Sequence, residues 1–379
     1  MIYLDNASTT KPSEGVVMSV NDAMQNFGNP SSMHRLGIVA EGIIKKAKEN
    51  AAKLIGAASD NIYFTSGGTE SNNTAILGYC RANMKKGRHI ITTMIEHPSV
   101  LTPFKMLEEE GFKVTYLATN EYGLIELEEF ENSICDDTIF VSVMHVNNET
   151  GAIQPVDRLK DIIKQKSSKA VLHVDAVQSF GKLKINAKKW GIDMLSASGH
   201  KIHGIKGCGM LYIADGIHIN PLLNGGGQQK NMRSGTENVI GIAAFSKACE
   251  EMAEFDNEYI SGLRSYLCDK ISENIDNIKI NGAQNEQQAG YILNVSFLGI
   301  KAEILLHSLE RYEIYVSTGS ACSTNKPMPS HVLTSMGCSR DEINGAIRFS
   351  LSRELTVEDM DKTAEALKKE VEMIRKYVR

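Results

Sequence analysis

Proline is scarce in this chain, with 8 residues against 31 glycines, and neither type clusters. That pattern excludes a collagen-like repeat, a low-complexity linker and a long disordered tail. Excess positive charge is also lacking: 41 Lys and Arg face 46 Asp and Glu, interleaved throughout, for a formal net charge of −5. Without a basic footprint, nucleic acid is not expected as a direct ligand. No apolar run approaches the roughly 18 residues that cross a bilayer, and the opening MIYLDNASTT has neither a basic nor an apolar leader region. A cytoplasmic protein with no membrane contact is the expectation. The seven cysteines are odd in number and form no CxxC pair, so disulfides are not expected in a chain too long to need staples. Most of them sit in apolar context and read as small buried hydrophobes; Cys322 does not.

What is present is globular material. The 379 residues, 42% hydrophobic and 23% charged, correspond to about two or three domains. Between 62 and 213, short β-branched runs alternate with amphipathic helical stretches, the pattern of a mainly parallel sheet covered on both faces. Strands are expected at 62–64, 89–93, 113–117, 138–146, 170–174, 194–197 and 210–213, giving one seven-stranded sheet. From 264 onward the alternation is lost, with strands near 291–297 and 314–317 among helices. The fold class is therefore α/β, with a large domain over 15–260 and a smaller α+β domain over 1–14 and 261–379. The stretch 235–275 reads as one long helical connection. The last helix carries a capping pair, Thr356 and Asp359, and a packing stripe of Met360, Ala364, Leu367, Val371, Ile374 and Val378.

In an open α/β sheet ligands bind beyond the carboxyl ends of the strands. After Phe64 comes Thr65-Ser66-Gly67-Gly68-Thr69-Glu70-Ser71-Asn72-Asn73, a small-residue turn before a helix expected at 74–77, suited to cradling phosphate on bare N–H groups. Such turns are common, and alone it is a weak sign. Asp175 closes an apolar strand, where a carboxylate needs a cationic partner or a capping role. Lys201 follows another strand among small residues, where desolvation favours the reactive amine of Schiff-base chemistry; a solvated lysine is the bland alternative. His200 and His203 could instead be metal ligands, although nothing at ligand spacing joins them. Phosphate cradle, strand-end Asp and strand-end Lys together form the minimum kit for pyridoxal 5′-phosphate.

These residues carry a resemblance that runs end to end. Tyr3-Leu4-Asp5-Asn6-Ala7-Ser8-Thr9-Thr10, Gly28-Asn29-Pro30-Ser31-Ser32, the 64–72 turn, Glu96-His97, Asn147-Asn148-Glu149, His173-Val174-Asp175 with Gln178, Ser198-Gly199-His200-Lys201, Arg233-Ser234-Gly235-Thr236-Glu237-Asn238, Ser320-Ala321-Cys322 and Ile347-Arg348-Phe349-Ser350 appear in order. The chain resembles the cysteine desulfurases of the NifS/IscS type, within the fold-type I, class V aminotransferase-like pyridoxal-phosphate enzymes. The resemblance implies conversion of L-cysteine to L-alanine with sulfur passed to Cys322 as a persulfide. It implies that Lys201 joins the cofactor covalently, Asp175 meets its ring nitrogen, and His97 stacks on the ring beside Gln178 and Asn148. Gly68, Thr69, Ser198 and His200 would hold the phosphate, with Thr236 supplied by a second subunit, which makes the protein a homodimer. Arg348, aided by Asn148, would bind the substrate carboxylate through a planar fork. No resident metal is implied, at most a transient iron–sulfur contact at Cys322.

Cys322 can also be read without the family: it lies among small residues and prolines, Ser317 to Pro329, where an exposed loop thiol is reactive. The sequence departs from the family pattern at Ile205, where proline is common, and at Gln229, where glutamate is common. It ends soon after the last helix, without the longer tail by which some relatives dock an iron–sulfur scaffold. The sulfur acceptor, in iron–sulfur cluster assembly or tRNA thiolation, thus stays open. Rival readings are a selenocysteine lyase or C–S lyase on the same fold, and a non-catalytic sulfur-carrier or assembly protein.

Overall fold

The computed structural model describes residues 1–166, 169–283, 285–318 and 329–377; Cys322 and Val378 lie outside the described residues. The strands are β1 (Ile2–Tyr3), β2 (Ile62–Thr65), β3 (His89–Thr93), β4 (Lys113–Leu117), β5 (Thr138–Met144), β6 (Val171–Asp175), β7 (Met194–Ser198), β8 (Gly209–Ile213), β9 (Ile278–Asn281), β10 (Ile292–Phe297), β11 (Ile314–Tyr315) and β12 (Ala346–Ser350). Seven form one sheet in the order β2-β8-β7-β6-β5-β3-β4. The run from β7 to β4 is parallel, and β8 is antiparallel to both β7 and β2. Six strands therefore end on one edge, and the order reverses between β3 and β5, where such sheets leave a crevice. Every residue of β5 and β6 is buried, as expected for β-branched strands covered on both faces.

Gly209 fixes the alignment of that edge. It pairs with Thr65 on one side and Ser198 on the other. A Cβ there would lie 2.6 Å from the Gly67 Cα, so only glycine lets the turn after β2 close over β7.

A three-stranded antiparallel sheet, β12-β10-β9, and the parallel pair β1-β11 share a second hydrophobic cluster with the helices Asn257–Asn274, Ala302–Glu310 and Val357–Tyr377. The last of these buries the expected stripe from Met360 to Ile374. Its cap is reciprocal: the Thr356 N–H donates to Asp359 Oδ2 at 2.9 Å and the Asp359 N–H to Thr356 Oγ1 at 3.2 Å.

Three expectations need correction. The helix after β2 starts at Gly68, not at 74, and runs to Asn83. Its first turns hold Thr, Ser and Asn, poor helix formers in isolation, but these side chains find tertiary partners: Ser71 donates to the Met210 carbonyl and Asn72 to Asp175. The connection 235–275 is two helices, Val239–Met252 and Asn257–Asn274, because Asp256 caps the second by accepting from the Tyr259 N–H. Strands β1, β9 and β12 went unforeseen, being short or, in β12, buried along its whole length despite an arginine at its centre.

Candidate active site

At the shared edge of the large sheet lies a cavity of about 260 Å³. Gly68 and Thr69 reach it from the first turn of the helix after β2, His97 from the turn after β3, and Asn148 from the turn after β5. Asp175 and Gln178 come from the end of β6, Ser198, His200 and Lys201 from the end of β7, and Arg348 from β12. Residues separated by up to 280 positions thus converge, as the sequence patterns anticipate. Thr236 is exposed and does not line the cavity, and Cys322 lies outside the described residues.

Asp175 is 5% exposed. One carboxylate oxygen accepts from the Val177 N–H at 2.9 Å, the other from Asn72 Nδ2 at 2.7 Å. No lysine or arginine among the described residues pairs with it, so a buried charge faces the cavity without its counter-ion. Asn72 Nδ2 also donates to Ser99 Oγ at 2.9 Å, and Ser99 Oγ lies 2.8 Å from His97 Nδ1. That same Nδ1 accepts from the Ser99 N–H at 3.1 Å, which leaves Nε2 as the protonated nitrogen of the neutral ring. Burial lowers the His97 pKa, with Asp175 pulling the other way. Burial, then the charges of Lys201, Lys206 and Lys182, push His200 down to about 4. His200 is neutral near pH 7.

The N-terminal segment closes one wall. Lys201 Nζ donates to the Ala7 and Ser8 carbonyls at 2.6 and 2.7 Å. Arg348, 3% exposed, donates from Nη2 to Asp5 Oδ1 and Ser8 Oγ, both at 2.7 Å, and from Nη1 to the Asn148 carbonyl at 2.9 Å. Its buried Nε has no hydrogen-bond partner among the described residues. Gln229 does what the usual glutamate could not: its amide accepts from the Phe64 N–H at 2.6 Å and donates to the Phe64 carbonyl at 2.7 Å. This clamps the strand leading into the glycine turn.

Sequence reasoning gave no role to the residues that hold these groups in place: Asp5, Asn72 and Glu96 stand in the quoted motifs and Ser99 outside them, and none has a spacing relative to its partner that a pattern could reveal. Glu96 is fully buried; its Oε1 accepts from Thr93 Oγ1 and the Met144 N–H, both at 2.8 Å. Burial, with Asp175 adding to it, pushes its carboxyl up to about 8. A raised carboxyl pKa means stability that is fully present below the ordinary value near 4.5 and lost as pH climbs toward 8. Glu96→Gln is therefore expected to match the parent near pH 5 and to exceed it at pH 8, by on the order of a few kcal/mol. Thermal melts across that range check this, and parallel curves would contradict the assignment.

The cavity fits pyridoxal 5′-phosphate on its own chemistry. The uncompensated Asp175 carboxylate suits a protonated ring nitrogen. Gln178, whose Nε2 donates to the Ala7 carbonyl, leaves its buried Oε1 without a partner among the described residues. The N-cap of the Gly68–Asn83 helix is Gly67, which offers no side-chain acceptor, so the first N–H groups remain for an anion. The hydroxyls of Thr69 and Ser198, at the same place, have no hydrogen bond to described residues.

Comparison with known proteins agrees with this geometry. Residues 2–363 match the family described as Aminotransferase class-V. A cysteine desulfurase IscS of Methanosarcina thermophila is 44% identical over 99% of this chain and 93% of its own length. A solved NifS-like protein superposes with a TM-score of 0.91 at 37% identity, covering 98% of this chain and 99% of its own. The structure described as SspA in complex with cysteine has a TM-score of 0.83 at 34% identity, covering 93% of this chain and 99% of its own. By both its fold and its near-complete alignment, the chain belongs to the class-V aminotransferase family and, within it, to the cysteine desulfurases of the NifS/IscS type.

Proposed function

We propose that this chain is a pyridoxal-phosphate-dependent cysteine desulfurase that converts L-cysteine to L-alanine and receives the sulfur on Cys322 as a persulfide. The observation that carries the reading is the buried Asp175 carboxylate, in ion-pair contact with no described lysine or arginine, in the same cavity as Lys201 and Arg348.

When bound, pyridoxal 5′-phosphate supplies an electron sink for the amino acid Cα. Asp175 would hold its ring nitrogen protonated. The N–H groups of Gly68 and Thr69 with the hydroxyls of Thr69 and Ser198 would hold its phosphate, His200 standing neutral beside them. Arg348 binds the substrate carboxylate, turning toward it the donors now spent on Asp5 and Ser8. Lys201 Nζ, within reach of the Ala7 and Ser8 carbonyls, takes the proton from Cα and returns one to the carbon skeleton. His97 packs over the site with its proton on Nε2, and Asn148 flanks it. Cys322 attacks the substrate sulfur: an S–S bond forms as the Cβ–S bond breaks. Overall, L-cysteine and a thiol become L-alanine and a persulfide, with no external oxidant.

The two largest hydrophobic clusters, one drawn from Val16 to Met252 and the other mainly from the N-terminal strand and residues from Ile260 onward, support a division into a large domain over 15–260 and a small one over 1–14 and 261–379. A homodimer is supported by exposed apolar side chains on the helix Glu14–Gln25 (Met18) and on the connection from it to the helix Arg35–Ile55 (Phe27 and Met33), and by the exposed Thr236. No described helix is long and apolar enough to cross a membrane, which accords with a cytoplasmic enzyme. An iron–sulfur scaffold or a tRNA-thiolating enzyme is the acceptor class.

The purified protein is expected to be yellow, to carry a borohydride-trapped cofactor on Lys201 by peptide mapping, and to release one alanine per persulfide formed. A label elsewhere, or cysteine turnover without alanine, overturns the reading.

A further inference from the structure

One set of buried contacts lies beside the cavity, at the junctions from which the segment carrying Cys322 departs and to which it returns. On the upstream side, Ser317 pairs with Arg348 through the backbone: the Ser317 N–H donates to the Arg348 carbonyl at 3.2 Å and the Arg348 N–H to the Ser317 carbonyl at 2.7 Å. On the downstream side stands Ser330, 6% exposed. Its hydroxyl donates to Glu149 Oε2 at 2.6 Å and accepts from the Leu333 N–H at 3.1 Å, capping the short helix His331–Ser335. The next residue, His331, donates from Nε2 to the Glu96 carbonyl at 2.9 Å.

Glu149 is 4% exposed and directly follows Asn148, whose carbonyl accepts from Arg348. Both junctions are therefore tied to the Arg348–Asn148 pair. Burial raises the Glu149 carboxyl pKa, while Ser330, His331 and Arg348 counter it. A buried carboxylate with a single hydroxyl partner on another element is an expensive arrangement for packing alone, and a hydrophobic pair would hold the helix as well. Its geometric effect is specific. Cys322 precedes Ser330 by eight residues, at most about 28 Å of extended chain, so the position of Ser330 bounds where the thiol can go.

We propose that Glu149, acting through Ser330, is a positioning residue for sulfur transfer: it pins the return of the Cys322 segment to the turn that carries Asn148. This rests on the desulfurase reading. In the step affected, the Cys322 thiolate forms the S–S bond as the substrate Cβ–S bond breaks, the electron pair passing to the substrate carbon, which is then protonated. Binding of L-cysteine, governed by Arg348, is left alone.

The test uses the cofactor-loaded full chain in single turnover, reading cysteine binding from the cofactor absorbance and persulfide on Cys322 by quenched alkylation and mass spectrometry. Ser330→Ala and Glu149→Ala are expected to slow persulfide formation about 10- to 100-fold, with the Kd for cysteine within about twofold of the parent. Glu149→Gln keeps an oxygen acceptor for Ser330 and is expected to restore the rate. The double alanine variant should be no slower than either single one. If Glu149→Ala does not fold, Ser330→Ala and Glu149→Gln carry the test. Parental transfer in Ser330→Ala, equal losses in binding and transfer, or a Gln variant as slow as Ala each overturn the proposal. Failure of the parent itself to form persulfide on Cys322 overturns the desulfurase reading, and this inference with it.

Discussion

Lys201→Ala is expected to lower alanine formation from L-cysteine by at least about 10³-fold, since one amine both anchors the cofactor and moves the substrate proton. The fold should survive. Among the described residues the substitution removes hydrogen bonds to the Ala7 and Ser8 carbonyls, which border the cavity and can turn to water, so these two bonds account for a stability loss of about 1–3 kcal/mol. Lys201→Arg separates the two roles. A guanidinium can still donate to those carbonyls but does not deprotonate in a protein. Its melting temperature should therefore recover while its activity does not. Borohydride mapping, alanine assay and thermal melts on the same three samples give the result. Alanine formation persisting in Lys201→Ala without added amines would remove Lys201 from the chemistry.

The contrast between Lys201 and Arg348 explains what could be read from the sequence. Asp175 and Lys201 stand out because each follows an apolar strand, and a charge after such a run has no packing purpose. The six co-directed strands then place them on one edge, a consequence of α/β topology that the alternating pattern already contains. Arg348 is different: it lies in the middle of β12, where all five residues are buried, and only the family resemblance marked it. Its role becomes physical once the chain returns from β12 to the N-terminus, where Asp5 and Ser8, more than 300 residues earlier in sequence, accept from its guanidinium. Asn72, Ser99, Glu149 and Ser330 are hidden for the same reason. Each is a polar or acidic residue with a partner on another element, and periodicity records only whether a side chain faces inward, not what it meets. The late start of the helix expected after β2 is the local counterpart: Thr, Ser and Asn have low intrinsic helix propensity, the stretch reads as a small-residue turn, and tertiary hydrogen bonds carry the helix through it.

Asp175→Asn should act with opposite sign on the two forms of the protein. In the cofactor-free chain the carboxylate is a buried group held, among the described residues, by the Val177 N–H and Asn72 Nδ2 alone, and replacing it with a neutral amide removes a desolvation cost. The new amide also has an acceptor to hand, because Asn72 Oδ1 is buried without a partner and a rotation of that side chain presents it. Stability of the free form is thus expected to hold or to rise by about 1 kcal/mol. In the loaded form the substitution exchanges a charge-assisted hydrogen bond for a neutral one, a loss of about 1–1.5 kcal/mol, so cofactor affinity falls about 5- to 10-fold. The melting temperature gained on adding pyridoxal 5′-phosphate should shrink accordingly. Asp175→Ala is the control: it strands both the Val177 N–H and the Asn72 amide, and should destabilise the free and loaded forms alike. If Asp175→Asn also lowers both melting temperatures equally, the carboxylate serves the local fold, and the cavity's claim to a cationic ring loses its main support.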